Sequence, residues 1–122
     1  MRKPLILAVA LGLSVGLSAQ NPISPAGVFI PDPSAKVGPD GKVYVYGSLD
    51  VKGDHYCSDS YHLLSSSDMV HWELTKNIFK HDSDVYAPDI AYKDGRWYLY
   101  YCCPDGSEWV AESRKPYGPF RH

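Results

Sequence analysis

Cysteine is scarce, and nothing in its spacing gives it a task. The 122 residues hold three, Cys57, Cys102 and Cys103, without a CxxC pair or a Cys/His zinc spacing. Cys102 and Cys103 are neighbours on an expected strand and point to opposite faces, so at most one is placed to bridge to Cys57. The plainer expectation is that they are small buried hydrophobes of a sheet core. An excess of positive charge is also missing. Twelve Lys and Arg stand against fourteen Asp and Glu, a formal net charge of −2, with no basic patch, which argues against a nucleic-acid partner. Long blocks of one charge sign and helical periodicity are missing too. The one apolar run, Leu5 to Leu17, is broken by Gly and Ser and falls short of the roughly 20 residues that span a bilayer. Preceded by Met1-Arg2-Lys3 and ending in Leu17-Ser18-Ala19-Gln20, it reads as a signal peptide over residues 1–19, cleaved near Ala19. The expected product is secreted or periplasmic, with no membrane association after cleavage and no cysteine at the cleavage region to carry a lipid.

What the chain does have is ten Tyr, ten Gly and ten Pro, arranged as short alternating runs between turns. The most informative stretch is Asp84 to Tyr101. Pro88-Asp89 leads into Ile90-Ala91-Tyr92, Asp94-Gly95 turns the chain, and Arg96 to Tyr101 alternates large apolar and aromatic residues. This predicts a β-hairpin, because the turn glycine takes a positive φ that other residues resist. An upstream echo runs from Pro31-Asp32 through Ser34 to Val37, turns at Asp40-Gly41, and returns along Lys42 to Gly47. From Asp32 to Asp89 is 57 residues and from Gly41 to Gly95 is 54. A repeat of that period in all-β sequence predicts propeller blades, each a small sheet unable to bury both faces alone.

Strands are expected near Ser34–Val37, Val43–Ser48, Tyr61–Ser66 and His71–Leu74, which makes one blade. A second begins at Asp89 and takes in Ile90–Tyr92, Arg96–Cys102 and Trp109–Glu112. The polar loop Asp50–Ser60 scatters Asp50, Asp54 and Asp59 without an EF-hand spacing, so it reads as a solvated loop. Most of the tyrosines read as strand filling, with a few available to stack on sugar rings. Not quite two blades are present where a closed propeller needs at least about four, so residues 20–122 are expected to be the N-terminal portion of a larger propeller domain.

Two aspartates, Asp32 and Asp89, stand at equivalent positions, each preceded by proline at the entry to a blade's first hairpin. The first strands of successive blades line a propeller's axis, so these carboxylates are expected to converge on one cavity. Neighbouring carboxylates push one another's proton affinities apart, which suits acid–base work. Pro-Asp is also an ordinary turn dipeptide, and on spacing alone that reading stands beside the chemical one.

The ordered motifs FIPDPSAKV, DGKVYVYGSLD, SSSDMVHWE, YAPDIAYKDGRWYLYY and SRKPYGPF resemble the N-terminal part of a glycoside hydrolase family 43 enzyme, from about Ile23 to Phe120. The resemblance implies a five-bladed β-propeller and inverting hydrolysis of arabinose- or xylose-containing glycans. It implies that Asp32 is the general base that activates water. It also implies that Asp89 tunes and orients the general acid, and that Tyr86, where some relatives carry tryptophan, lines the sugar pocket. The family's general acid is a glutamate of a later blade. Glu108 and Glu112 belong to the outer part of the second blade, so this chain alone is expected to be inactive. No cofactor is implied and no metal ligand set is found. A non-catalytic carbohydrate-binding propeller and a secreted repeat domain that binds proteins are the alternatives; the pair of axial carboxylates disfavours the former.

Overall fold

A computed structural model describes residues 22–50 and 58–122 of the chain, so the expected signal peptide, Cys57 and most of the Asp50–Ser60 loop lie outside the described residues. Six antiparallel strands follow one another in sequence order: β1 (Ser34–Val37), β2 (Val43–Gly47), β3 (Ser58–Ser66), β4 (Glu73–Lys93), β5 (Arg96–Cys102) and β6 (Glu108–Ser113). From Glu73 to Val85 β4 pairs with β3, Lys80 opposite Ser60. From Tyr86 on it leaves that partner and pairs with β5, Asp89 opposite Tyr100. One 21-residue strand is therefore the outer strand of a first sheet and the innermost strand of a second. A bridge between Glu112 and Arg121 starts a fourth strand on the second sheet. Both hairpins and both Asp-Gly turns stand where the sequence places them. The expected break between Leu74 and Asp89 is not a chain break: β4 runs on through the stretch, which hands its pairing from β3 at Val85 to β5 at Tyr86, with irregular register on either side.

The two turns differ by one residue. Asp94 and Gly95, at φ 50° and 78°, make a two-residue turn between the paired Lys93 and Arg96. At the first, Gly41 N–H donates to the Gly38 carbonyl (3.0 Å) and Gly38 N–H to the Lys42 carbonyl (2.8 Å), so the loop holds three residues with only Gly41 left-handed. Gly38 and Lys42 thus hold the hydrogen-bonded place of Lys93 and Arg96. Counting strand pairs from there, Ser34 opposite Tyr46 corresponds to Asp89 opposite Tyr100, and Tyr44 corresponds to Tyr98.

The core lies between the sheets. Trp97, Leu99 and Tyr101 of β5 are buried, while Tyr98 and Tyr100, on the opposite face, are not, as strict alternation requires. Trp97 meets Tyr44 edge to face (centroids 5.4 Å) and Tyr46 at 6.5 Å, and Phe79 meets Tyr101 at 4.8 Å. Such aromatic pairs contribute about 0.5–1.5 kcal/mol each beyond their buried area. The Tyr46 hydroxyl donates to the Pro116 carbonyl (2.7 Å), which satisfies a buried polar group and ties the first sheet to the last turn of the second. Cys103 is buried as expected, Cys102 only half so, and both carry free thiols.

Candidate active site

The innermost strands β1 and β4 begin their inner runs at one end of the molecule, opposite the Asp-Gly turns. Asp32 precedes β1 with φ 45°, a left-handed backbone that is uncommon outside glycine and that aspartate tolerates better than most residues. It is constrained from both sides. Pro33 follows it, and the segment before it is laid across the end of β2. A Cβ added to Gly47 would stand 2.0 Å from Ile30 Cγ2 and 3.2 Å from the Pro31 carbonyl oxygen, so only glycine leaves room for the chain there. The Ser48 hydroxyl donates to the same Pro31 carbonyl at 3.4 Å. Asp32 itself is exposed.

Asp89 lies on the other innermost strand, also exposed, with Oδ1 accepting two hydrogen bonds: one from Ser34 Oγ across the sheets (2.6 Å) and one from the Ile90 N–H (2.8 Å). The structure thus brings the Asp32–Ser34 segment and Asp89 together. It corrects one expectation: the aspartates are not equivalent positions. The residue matching Asp89 is Ser34, 55 positions earlier, and the residue matching Asp32 is Ala87. Ala87 has the same left-handed backbone, φ 33°, and is likewise followed by proline, Pro88. Matching Pro31-Asp32 to Pro88-Asp89 shifts the alignment by two residues; Pro33 is the true counterpart of Pro88.

Asp89 lines a cleft of about 240 Å³ together with Tyr100, Trp109 and Glu108 among others. Tyr100 and Trp109 are 48% and 52% exposed, large aromatic surfaces of the kind that stack on sugar rings. Glu108 does belong to the outer strand β6. Yet it starts that strand at the site end, opposite Cys102, and so reaches the wall of the Asp89 cleft, which its place in the sequence did not reveal. Tyr86 is half-buried, and its carbonyl accepts from the Tyr61 hydroxyl at 2.8 Å and the Cys102 thiol at 3.7 Å, fixing the chain just ahead of the bulge that separates Tyr86 from Asp89. Beside the cleft, burial pushes the Tyr101 hydroxyl up to about 12, and it shares a 2.6 Å hydrogen bond with His122 Nε2.

The comparisons agree with this architecture. The model of glycosyl hydrolases family 43 matches residues 19–122. A xylosidase/arabinosidase of Bacteroides ovatus is 32% identical, over 77% of this chain and 35% of its own. Xylosidase/arabinosidase 43A of Humicola insolens is 34% identical over 76% and 35%. Among solved structures, a β-xylosidase/α-arabinofuranosidase from a compost microbial metagenome, in complex with xylotriose, superposes with a TM-score of 0.71 and 34% identity, over 85% of this chain and 37% of that one. An α-L-arabinofuranosidase of Clostridium thermocellum gives 0.62 and 29%, over 74% and 33%. The chain spans about a third of the length of these relatives. With two sheets that share β4 as successive blades of an all-β propeller, and with a family model matched from residue 19 to residue 122, the chain belongs to glycosyl hydrolases family 43.

Proposed function

We propose that the protein carrying this chain is an exported glycoside hydrolase that cleaves arabinose- or xylose-containing glycans with inversion, its site at the axis of a five-bladed propeller. The observation that carries the reading is the meeting of the Asp32 segment with Asp89 at one end of the two innermost strands. An exposed carboxylate on a constrained backbone suits the part of a general base, and in this reading Asp32 takes a proton from water as that water attacks the anomeric carbon. Inversion requires the acid to stand across the bond, with base and acid carboxyls about 6.5–9.5 Å apart to admit the water. Asp89 is the carboxylate beside them that keeps the acid protonated, and the Tyr86 ring borders the sugar. The acid comes from a further blade. Names of the relatives support the sugars, and the exposed Tyr100 and Trp109 rings support a glycan surface.

The test is hydrolysis of aryl β-xyloside and aryl α-arabinofuranoside by the full-length protein and by Asp32→Asn, with the product anomer read by NMR. The reading expects an inverted product and a rate loss of about 10²–10⁴ in the variant, the range general base help supplies, with sugar binding kept. An Asp32→Asn protein at near wild-type rate would remove the base assignment. Sugar binding without turnover by the wild type would favour the non-catalytic alternative.

A further inference from the structure

We infer that Asp89 and Ser34 form a positioning device for the general base, distinct from the tuning of the acid. This rests on the hydrolase reading above. Ser34 is two residues after Asp32 with only Pro33 between them, whose ring fixes φ and leaves few torsions to absorb a displacement of Ser34 before it reaches Asp32. The Ser34 hydroxyl is tied to Asp89 Oδ1 at 2.6 Å, and the same oxygen is fixed by the Ile90 N–H at 2.8 Å, so the anchor itself cannot swing. Ser34 is also the repeat's counterpart of Asp89. The same strand position, taken once in each blade, supplies the donor and the acceptor of a single bond between the blades. On its other side Asp32 is held through Pro31, seated over Gly47 and bonded by Ser48. Remove the Ser34 bond and the segment after Asp32 is held by the β1–β2 ladder alone, with no tie to the second blade, while the left-handed backbone of Asp32 favours relaxation. A misplacement of about 1 Å of a reacting group costs on the order of 10²-fold in rate.

Both oxygens of Asp89 then have work. Oδ1 positions Ser34, and the tuning of the acid falls to Oδ2. The two roles separate by substitution, because Asp89→Asn keeps a carbonyl acceptor for Ser34 and Ile90 while losing the charge, whereas Ser34→Ala keeps the charge and loses the bond.

The experiment is steady-state kinetics of the full-length protein on aryl xyloside and arabinofuranoside, with crystal structures of wild type and Ser34→Ala. Ser34→Ala is expected to lower kcat by about 10–100-fold with KM within about twofold and the pH limbs in place, since a displaced base leaves binding and acid unchanged. Ser34→Thr, which keeps the hydroxyl, restores most of kcat. In an Asp89→Ala background Ser34→Ala costs little further, as it does when two groups share one interaction. The Ser34→Ala structure shows Asp32 displaced with both sheets intact. Wild-type kcat in Ser34→Ala, multiplying losses in the double variant, or an unmoved Asp32 each overturns the proposal. If the wild type turns over neither substrate, the hydrolase reading fails by itself and the position of Asp32 in the two structures still decides the device.

Discussion

Asp32 and Ala87 share a left-handed backbone, each followed by a proline, Asp32 just ahead of β1 and Ala87 within β4 just ahead of its run against β5. Because Ala87 is not a candidate for chemistry, the strained conformation belongs to the way a blade begins in this protein, and Asp32 exploits it. The conformation costs a non-glycine residue about 1–3 kcal/mol. Ala87→Gly is therefore expected to leave stability unchanged or raise it by up to about 1 kcal/mol, the part of the strain that survives glycine's larger unfolded-state entropy. Ala87→Val, β-branched at positive φ, is expected to lower it by more than about 1 kcal/mol. Denaturant unfolding of the three proteins checks both, and a stabilising valine would contradict the shared backbone.

Asp89→Asn is expected to lower kcat and to move the basic limb of the pH–rate profile toward lower pH. Loss of a neighbouring negative charge makes the general acid give up its proton more easily, so the protonated fraction falls at a lower pH. A basic limb that stays in place, or moves upward, would take the tuning role from Asp89.

Gly47→Ala is expected to impair turnover at a distance from the carboxylates. The added methyl meets Ile30 and the Pro31 carbonyl at less than van der Waals contact, so the segment carrying Asp32 must lift from β2. Overpacking of this kind costs about 1–3 kcal/mol of stability, and the displaced base adds a loss of kcat of on the order of 10²-fold. The paired measurement is thermal unfolding and kcat; a variant with unchanged kcat would show that this seat does not hold Asp32.

His62, on β3, is 4% exposed, and burial above all holds its imidazole below the usual histidine range, opposed by a hydrogen bond to the Tyr61 backbone and helped by the charge of Lys76. Its Nδ1 faces the Asn77 N–H at 3.5 Å, an acceptor's place that suits the neutral ring. The unfolded chain protonates near pH 6.5 and the folded one lower. The contribution is therefore complete above about pH 6.5 and lost as pH falls below it toward the folded value. The unfolding midpoint should drop between about pH 7 and pH 5 more steeply in the wild type than in His62→Gln. Parallel curves would exclude His62 as the source.

The hairpins are legible because alternation and Asp-Gly turns are local signals: Trp97, Leu99 and Tyr101 announce a buried face by spacing alone, and β2, buried on both faces, reads as a continuous Val43–Tyr46 run. The pairing of the two aspartates was misread for an equally local reason. A Pro-Asp dipeptide at both places drew the alignment, whereas the backbone aligns on Pro33 and Pro88, and the extra residue in the first turn hides the offset. The continuity of β4 is not visible in the sequence because the polar run Lys80 to Asp84 precedes Val85, and the strand passes from β3 to β5 through irregular register and a left-handed Ala87, which leaves no alternation to read. Glu108 escaped because its height along β6, not its blade or strand number, decides what it reaches.

The unbroken course of β4 also bears on how such a protein tolerates change. Ser60 opposite Lys80 and Asp89 opposite Tyr100 fix both ends of the crossing, so one residue inserted between Lys80 and Asp89 has to be absorbed by a bulge or by a slip of one sheet. A slip of one residue turns Asp89 to the opposite face. Lengthening at Asp40-Gly41 or Asp94-Gly95, at the far end, displaces neither innermost strand. Tags, reporters and domain fusions therefore belong at those turns, and length variation among functional homologues should gather there while the stretch from Lys80 to Asp89 keeps its count.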